Sequence, residues 1–191
     1  TLGPTYDYAN MLLDYNEGWS DVESEAVATL MHDMGTSVSM MYHYDGSGAY
    51  DRDVSVALVN YFKYDKGLRF IQGSGYYDEE WFDMLEDNLS NYGPTYFRGE
   101  SDEGGHAFVL DGYSTNHYFS INYGWGGANN GYYMLPNSEF YFGQAAIFEL
   151  KPDKAGTSQY TDLIDLYAMN ADYLGIMTDV VEYKSGESFE V

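Results

Sequence analysis

Apolar residues in the first third of the chain recur at steps of three and four, which is the period of an amphipathic α-helix. This pattern predicts a helix over residues 22–34, and Ser20 or Asp21 is suitably placed to cap its N-terminus. Gly35 is expected to end this helix, because glycine commonly follows the last helical turn. A short strand is predicted next, over residues 37–42.

Two more helices and one strand are predicted before residue 95. Apolar residues that share one face favour a helix over residues 54–62, and residues 68–72 have the composition of a strand. A third helix is expected to begin near Asp78 and to include residues 81–89, because acidic residues in a first turn suit the positive end of the helix dipole. Residues 91–94 contain glycine and proline and should end it.

From Thr95 onward the apolar period changes to two, which is typical of strands that bury one face. Helices followed by a run of strands favour an α+β fold, in which an antiparallel sheet is flanked by helices. The predicted strands are residues 95–99, 106–112, 118–122, 131–135 and 145–150.

The second and third of these strands carry the most informative chemistry of the chain. His106 opens one strand directly after two glycines, and Asn122 closes the next strand just ahead of Tyr123 and Trp125. A histidine oriented by a side-chain amide is the base half of a Cys-His-Asn hydrolase site. The sequence contains no cysteine, so these 191 residues do not include the nucleophile of such a site.

A simple hairpin would bring the two polar residues together. If Ser114 is the centre of the turn, His106 and Asn122 each lie eight residues from it and are expected directly opposite each other on one face. The Asn122 carbonyl oxygen would then accept the Nδ1 proton, Nε2 would be the base, and Trp125 would shield the pair from water. Side chains on opposite faces of the sheet would contradict the catalytic interpretation, and the alternative is that Asn122 is a turn residue and Trp125 a core aromatic.

These motifs resemble those of the streptopain family of papain-like cysteine proteases. They read GHAFVLDG, around His106, and NYGWGG, from Asn122, followed by GYYML. The resemblance covers roughly residues 1–150 and implies a papain-like fold and peptide-bond hydrolysis, with His106 and Asn122 catalytic and Trp125 supporting. Tyr123 stands where the family has a first Trp. It keeps an aromatic ring there without the indole N–H, and we count it as a second supporting residue.

Candidate substrate contacts are small residues and one cation. Residues 46–49 resemble the substrate-cleft loop of the family, and small side chains let an extended peptide approach backbone donors closely. Arg98 is one of only eight basic residues and precedes the histidine loop, so it is a further candidate for lining the cleft. The predicted substrate-binding residues are Gly46, Ser47, Gly48, Ala49, Arg98 and Gly105.

The resemblance places the nucleophilic Cys of the family upstream of this chain. The chain is then one product of a cleaved or truncated precursor, or part of a protease whose N-terminal segment is not included, and a third option is a family member that lost its cysteine. We therefore expect a cysteine endopeptidase whose partner is the Cys-bearing N-terminal segment of the same precursor, and we expect the chain alone to be inactive. Without that segment, the sheet surface around Phe108 and Leu110 is expected to be open to water. The alternative is a non-catalytic binding or scaffold domain built on the same fold.

Three regions are predicted from the change in composition along the chain. Residues 1–150 are expected to form the C-terminal part of a papain-like catalytic domain. Residues 151–160 are predicted to be a polar linker, and residues 161–191 to begin an appended β-rich domain.

Charge narrows the choice of partners. The formal net charge of -23 repels nucleic acid and anionic membranes, so neither is an expected partner. A protein or peptide substrate is what the family resemblance implies. No apolar run approaches membrane-spanning length. An acidic, tyrosine-rich and cysteine-free composition suits a protein exported without disulfides, although the cytoplasm stays open. Together with the resemblance, this predicts a bacterial protein that is secreted or held at the cell surface.

No cofactor and no metal is predicted from the sequence. Residues 45–53 alternate oxygen-bearing side chains but lack the glycine placement and the terminal Glu of a calcium loop. No spacing indicates zinc, and no glycine-rich loop indicates a nucleotide. The other three histidines, His32, His43 and His117, are interpreted as polar surface or loop residues.

Overall fold

The computed structural model describes residues 5–136 and 139–160 of the chain. The chain divides into two units, one ending at Tyr64 and one beginning at Asp65. Within the described ranges, no helix combines the length and the hydrophobicity that crossing a membrane would require.

The first unit contains a 3₁₀ helix, Tyr8–Asn10, and two α-helices, α1 (Asp21–Ser37) and α2 (Asp51–Phe62). The predicted N-terminus of α1 is confirmed. The Ser20 side chain accepts from the backbone N–H of Glu23, and the Glu23 carboxylate accepts from the backbone N–H of Ser20. This reciprocal capping box satisfies two N–H groups that the helix leaves unpaired.

The predicted end of α1 is wrong. The helix continues past Gly35 to Ser37, and the strand expected over residues 37–42 is reduced to one bridge between Met41 and Gly48. Gly35 is buried, and a Cβ at this position would overlap the hydroxyl group of Tyr42. The glycine therefore permits close packing inside the helix and does not terminate it.

The second unit is built on a six-stranded antiparallel sheet whose strand order is β1-β6-β2-β3-β4-β5. All five strands predicted after residue 95 are present, and so are the strand and the helix predicted before it. The elements are β1 (Arg69–Gln72), α3 (Asp78–Tyr92), β2 (Thr95–Ser101), β3 (Gly104–Ser114), β4 (Tyr118–Asn122), β5 (Gly131–Met134) and β6 (Phe142–Phe148).

Helix α3 and one face of this sheet share a core that is rich in aromatic residues. Trp81 of α3 packs against Phe97 and Phe148, and its indole N–H donates to the Gln144 side chain at 3.0 Å. The expectation that the sheet lies open around Phe108 and Leu110 is wrong, because both side chains are buried. Among the described residues, the largest fully buried side chains are Phe97, Phe119, Ile71, Leu85, Leu110, Ile121, Ile147 and Thr95.

The segment predicted as a linker, residues 151–160, packs within the second unit. The Lys151 carbonyl oxygen accepts from the backbone N–H of Asp65, and the Ser158 hydroxyl accepts from that of Lys66. Asp153 organises the turn between them by accepting from the backbone and hydroxyl groups of Ser158. The β-rich domain predicted over residues 161–191 lies outside the described residues.

Candidate active site

The β3–β4 hairpin has a different register from the one expected. Ser114 pairs with Tyr118, which centres the turn on Asn116, and Val109 pairs with Asn122. A bulge between Leu110 and Gly112 shifts the register by one residue. Because side chains alternate across a strand, this single residue moves Asn122 to the other face of the sheet.

His106 and Asn122 are therefore not opposite each other. His106 shares its face with the buried residues Phe108 and Leu110, whereas Asn122 shares the exposed face with Val109. The Asn122 side-chain oxygen accepts a hydrogen bond from the backbone N–H of Gly124 at 3.0 Å. The predicted hydrogen bond between the amide and the imidazole is wrong, and Asn122 instead shapes the turn after β4.

A backbone carbonyl takes the place that the amide was expected to fill. Nε2 of His106 lies 2.9 Å from the carbonyl oxygen of Tyr123. A carbonyl oxygen only accepts, so Nε2 carries the proton and Nδ1 is left as the basic nitrogen. The expected roles of the two ring nitrogens are thus reversed. The Tyr123 peptide is itself fixed, since its N–H donates to the Asn130 side chain at 3.1 Å.

Aromatic rings hold the imidazole on its other sides. The ring centroids of His106 and Trp125 are 4.8 Å apart and the planes are inclined by 30°, which is a stacked contact. Phe140 stacks on the same imidazole at 5.4 Å, and Tyr123 stacks on Trp125 at 4.8 Å. The alternative that Trp125 is a core residue is excluded by its exposed fraction of 41%. The partly exposed indole ring covers the imidazole on the side that faces the solvent.

A glycine opposite His106 makes room for this packing. Gly99 of β2 pairs with His106 across the sheet, so the two positions share one face. A Cβ at Gly99 would lie 2.9 Å from Cβ of Phe140 and 3.1 Å from its carbonyl oxygen. Since real side chains do not approach so closely, any larger residue at position 99 would displace Phe140 from the imidazole.

His106 lines an open cleft of about 700 Å³. The aromatic residues Trp125 and Phe140 line part of it, as do the acidic residues Asp102, Glu103 and Glu139. Burial raises the pKa of the Tyr123 hydroxyl to about 12, and the nearby Glu139 and Tyr133 add to this effect. The remaining lining residues are Ser101, Gly104, Gly105 and Tyr141.

The predicted substrate-binding residues are distributed over both units. Gly105 lines the cleft. Arg98 pairs with Ala107 and lies on the opposite face of the sheet from His106, where its guanidinium forms an ion pair with Glu100. Its expected place in the cleft beside His106 is wrong, because one step along a strand reverses the face.

The loop that contains Gly46, Ser47, Gly48 and Ala49 belongs to the first unit. Two backbone hydrogen bonds between Met41 and Gly48, of 2.8 and 3.2 Å, close it. Its two glycines have open space where a Cβ would stand. Its contact with substrate stays a prediction.

Three groups that contribute to the site were not predicted from the sequence. The Tyr123 carbonyl is a backbone group, so no side-chain motif could indicate its role. Gly99 reaches His106 through the pairing of β2 with β3, and Phe140 reaches it through packing of a segment that is distant in the chain. The one usable indication was the glycine within a predicted strand, which often marks a close approach by another group.

The sequence matches the peptidase C10 family over residues 1–133. It is 39% identical over 135 residues to the thiol protease/hemagglutinin PrtT of Porphyromonas gingivalis, which covers 71% of this chain and 16% of that protein. It is 34% identical over 130 residues to streptopain of Streptococcus pyogenes, which covers 68% of this chain and 33% of that protein. The chain thus spans no more than 33% of the length of these two relatives.

Solved structures give the same result. The fold is similar to that of active wild-type interpain A, a cysteine protease of Prevotella intermedia, with a TM-score of 0.70 and 34% identity over 76% of this chain and 64% of that chain. A prointerpain A fragment from the same organism gives a TM-score of 0.67 with 33% identity, over 82% of this chain and 49% of that chain. The expected α+β papain-like fold is confirmed, and the chain belongs to the peptidase C10 family.

Proposed function

We propose that this chain supplies the acid–base half of a cysteine endopeptidase, and that the thiol comes from a segment outside these 191 residues. The expected source is the Cys-bearing N-terminal segment of the same precursor, and residues 1–150 would be the C-terminal part of the catalytic domain. The relatives named above are thiol or cysteine proteases, which supports this class of reaction. We call the chain together with that segment the assembled enzyme.

The observation that carries the proposal is the contact between Nε2 of His106 and the Tyr123 carbonyl oxygen. It fixes the tautomer and the ring orientation, which is what the third member of a nucleophile–base triad contributes. The imidazole is then presented in a cleft with Nδ1 as the base. Because a carbonyl performs this role, the position of Asn122 on the other face removes that side chain from the mechanism without removing His106.

The chemistry proceeds in two stages. Nδ1 of His106 accepts the proton of the thiol, the thiolate attacks the peptide carbonyl carbon, and the C–N bond breaks as the imidazolium returns its proton to the leaving amine. Water then gives a proton to Nδ1 and attacks the thioester carbonyl carbon. The C–S bond breaks, the imidazolium returns that proton to the leaving thiolate, and the acid product is released. Stacking of Trp125 and Phe140 limits the rotation of the ring and keeps water from the Nε2 hydrogen bond.

The open cleft favours an extended peptide as substrate. Gly105 has no side chain and lies directly before His106, so a peptide backbone can approach the imidazole there. We retain Gly46, Ser47, Gly48 and Ala49 as proposed peptide contacts. Replacing Ser47 with Tyr should raise KM in the assembled enzyme and leave the folded state intact. An unchanged KM would exclude the loop from substrate binding.

Reconstitution tests the proposal. The 191-residue chain alone should hydrolyse no peptide, and the assembled enzyme should cleave an unstructured protein or a fluorogenic peptide. Alkylation of the thiol with iodoacetamide should abolish the activity. The pH dependence of that alkylation should indicate a depressed thiol pKa, which the substitution His106→Ala should restore toward its ordinary value.

The competing function is a binding or scaffold domain on the same fold. An assembled, cooperatively folded protein that binds peptide, hydrolyses none and shows an ordinary thiol pKa would establish it and contradict the proposal. We propose a bacterial protein that acts outside the cell or at its surface. Cell fractionation with an antibody against the chain would test this, and recovery in the cytoplasm alone would contradict it.

A further inference from the structure

A second histidine lies at the other end of the β3–β4 hairpin. His117 stands in the turn, and its imidazole reaches helix α3. Nδ1 of His117 is 2.9 Å from a carboxylate oxygen of Glu86, and Nε2 is 3.4 Å from one of Glu79. Both ring nitrogens therefore face carboxylates of one helix, which is not the environment of an ordinary solvated turn residue.

The facing surface of α3 is a stripe of acidic side chains. Glu79, Asp83 and Glu86 are spaced by four and three residues, which places them on one side of the helix. Ligand atoms of Asp83, Glu86 and His117 all lie within 4.8 Å of one another. Carboxylates so close together repel each other, and the net charge of -23 adds to the repulsion. A bound cation would relieve it.

The backbone that presents these groups is fixed by core packing. Phe82, next to Asp83 on α3, is buried and contacts both the His117 ring at 5.4 Å and Phe119 at 6.1 Å. The ligating groups thus come from two elements that share one core. Such preorganisation limits the entropy that would be lost when a ligand is bound.

We propose that Asp83, Glu86 and His117 form a binding site for a divalent transition-metal ion of the zinc class. The imidazole nitrogen favours zinc over calcium and magnesium, which prefer oxygen ligands alone. The ion would fasten the β3–β4 turn to α3. Because this turn is at the far end of β3 from His106, the ion stabilises the fold and takes no part in hydrolysis.

Zinc titration into the metal-free, purified protein that carries this chain tests the site. We expect calorimetry to show one Zn²⁺ bound per chain, and saturation to raise Tm by several degrees. Co²⁺ should give the visible absorption of a site with a nitrogen ligand. His117→Gln and Asp83→Asn should each weaken zinc binding by at least about tenfold and remove the rise in Tm. The control is Asp87→Asn, which removes one negative charge from the exposed side of the same helix and should change neither result.

Circular dichroism of each variant would show whether the fold is retained. If His117→Gln is unfolded, Asp83→Asn and the Co²⁺ spectrum of the unchanged protein still decide the question. Zinc binding that His117→Gln and Asp83→Asn leave unchanged would overturn the proposal. Binding of Ca²⁺ as tight as that of Zn²⁺, without a Co²⁺ spectrum, would also overturn it.

Discussion

The two ends of the β3–β4 hairpin carry one histidine each, and the two histidines have opposite surroundings. His106 donates to a backbone carbonyl, stacks on aromatic rings and lines a cleft. His117 lies against two carboxylates of α3 at the turn. Both belong to the same pair of strands, so the difference arises from what packs on each end.

This difference assigns different chemistry to the same side chain. A neutral acceptor and stacked rings hold an imidazole in one tautomer, which keeps its second nitrogen available for proton transfer. Carboxylates facing both nitrogens provide negative charge and metal ligands. The comparison predicts that changes at one end affect catalysis and that changes at the other affect only stability and metal binding.

The largest expected effect separates the two histidines directly. In the assembled enzyme, His106→Ala should lower kcat by at least about 10³-fold, because the general base and acid are lost. His117→Ala should leave kcat unchanged at temperatures where the variant is folded. Peptidase assays and circular dichroism on both variants measure this. Equal losses of activity would show that the two ends do not have separate functions.

A smaller effect is expected from the strand opposite His106. Gly99→Ala should displace Phe140 and tilt the imidazole, which should lower kcat about 10–100-fold with a smaller change in KM. The matched control is Gly112→Ala in β3, where an added Cβ would meet only ordinary contact at 3.8 Å. If both glycine variants keep full activity, the packing of Phe140 on His106 has no role in positioning.

Asn122→Ala should have a milder effect. The amide supports the turn through Gly124 and does not contact the imidazole, so kcat should fall about tenfold or less, short of the roughly 10²-fold loss that a full misplacement causes. The pH profile of kcat/KM should keep its shape. A loss of kcat as large as that of His106→Ala would show that Asn122 orients the imidazole, contrary to the strand register.

Tyr123→Phe should have the smallest effect on activity, because the proposed role belongs to the backbone carbonyl. Its effect should appear in alkaline stability. The Tyr123 pKa is raised from about 10 to about 12, so the unfolded chain loses this proton first and the free energy of unfolding falls as pH rises through that window. In Tyr123→Phe, the free energy of unfolding should not show this decrease with pH. Chemical denaturation of both proteins between about pH 9 and 11.5 measures the difference. Identical pH dependence in both proteins would contradict the assigned burial.

The strands after Thr95 were predictable because each strand buries one face. This constraint appears in the sequence as apolar residues at every second position. The register of β3 with β4 was not predictable from the sequence. A bulge needs no particular residue type, yet it moves every side chain beyond it to the opposite face of the sheet. The end of α1 was missed for a similar reason. Gly35 is required by its contact with Tyr42, which the local sequence does not reveal.

The candidate site was likewise predictable from the sequence only in part. The glycines before His106 and the aromatic residues after Asn122 identified the right strands, because the chemistry requires those residue types. The orienting carbonyl and the contact with Phe140 depend on distant packing and backbone geometry, so composition and spacing could not indicate them. His117 was dismissed because its carboxylate partners lie 31 and 38 positions earlier in the chain.

The ¹⁵N nuclear magnetic resonance spectrum of the His106 ring would show which ring nitrogen carries the proton. It should be recorded on the assembled enzyme with its nucleophilic Cys replaced by Ala. We predict that the proton is on Nε2, that Nδ1 carries none, and that Asn122→Ala leaves both ¹⁵N chemical shifts unchanged. A proton on Nδ1, or a tautomer that changes when Asn122 is removed, would contradict this prediction.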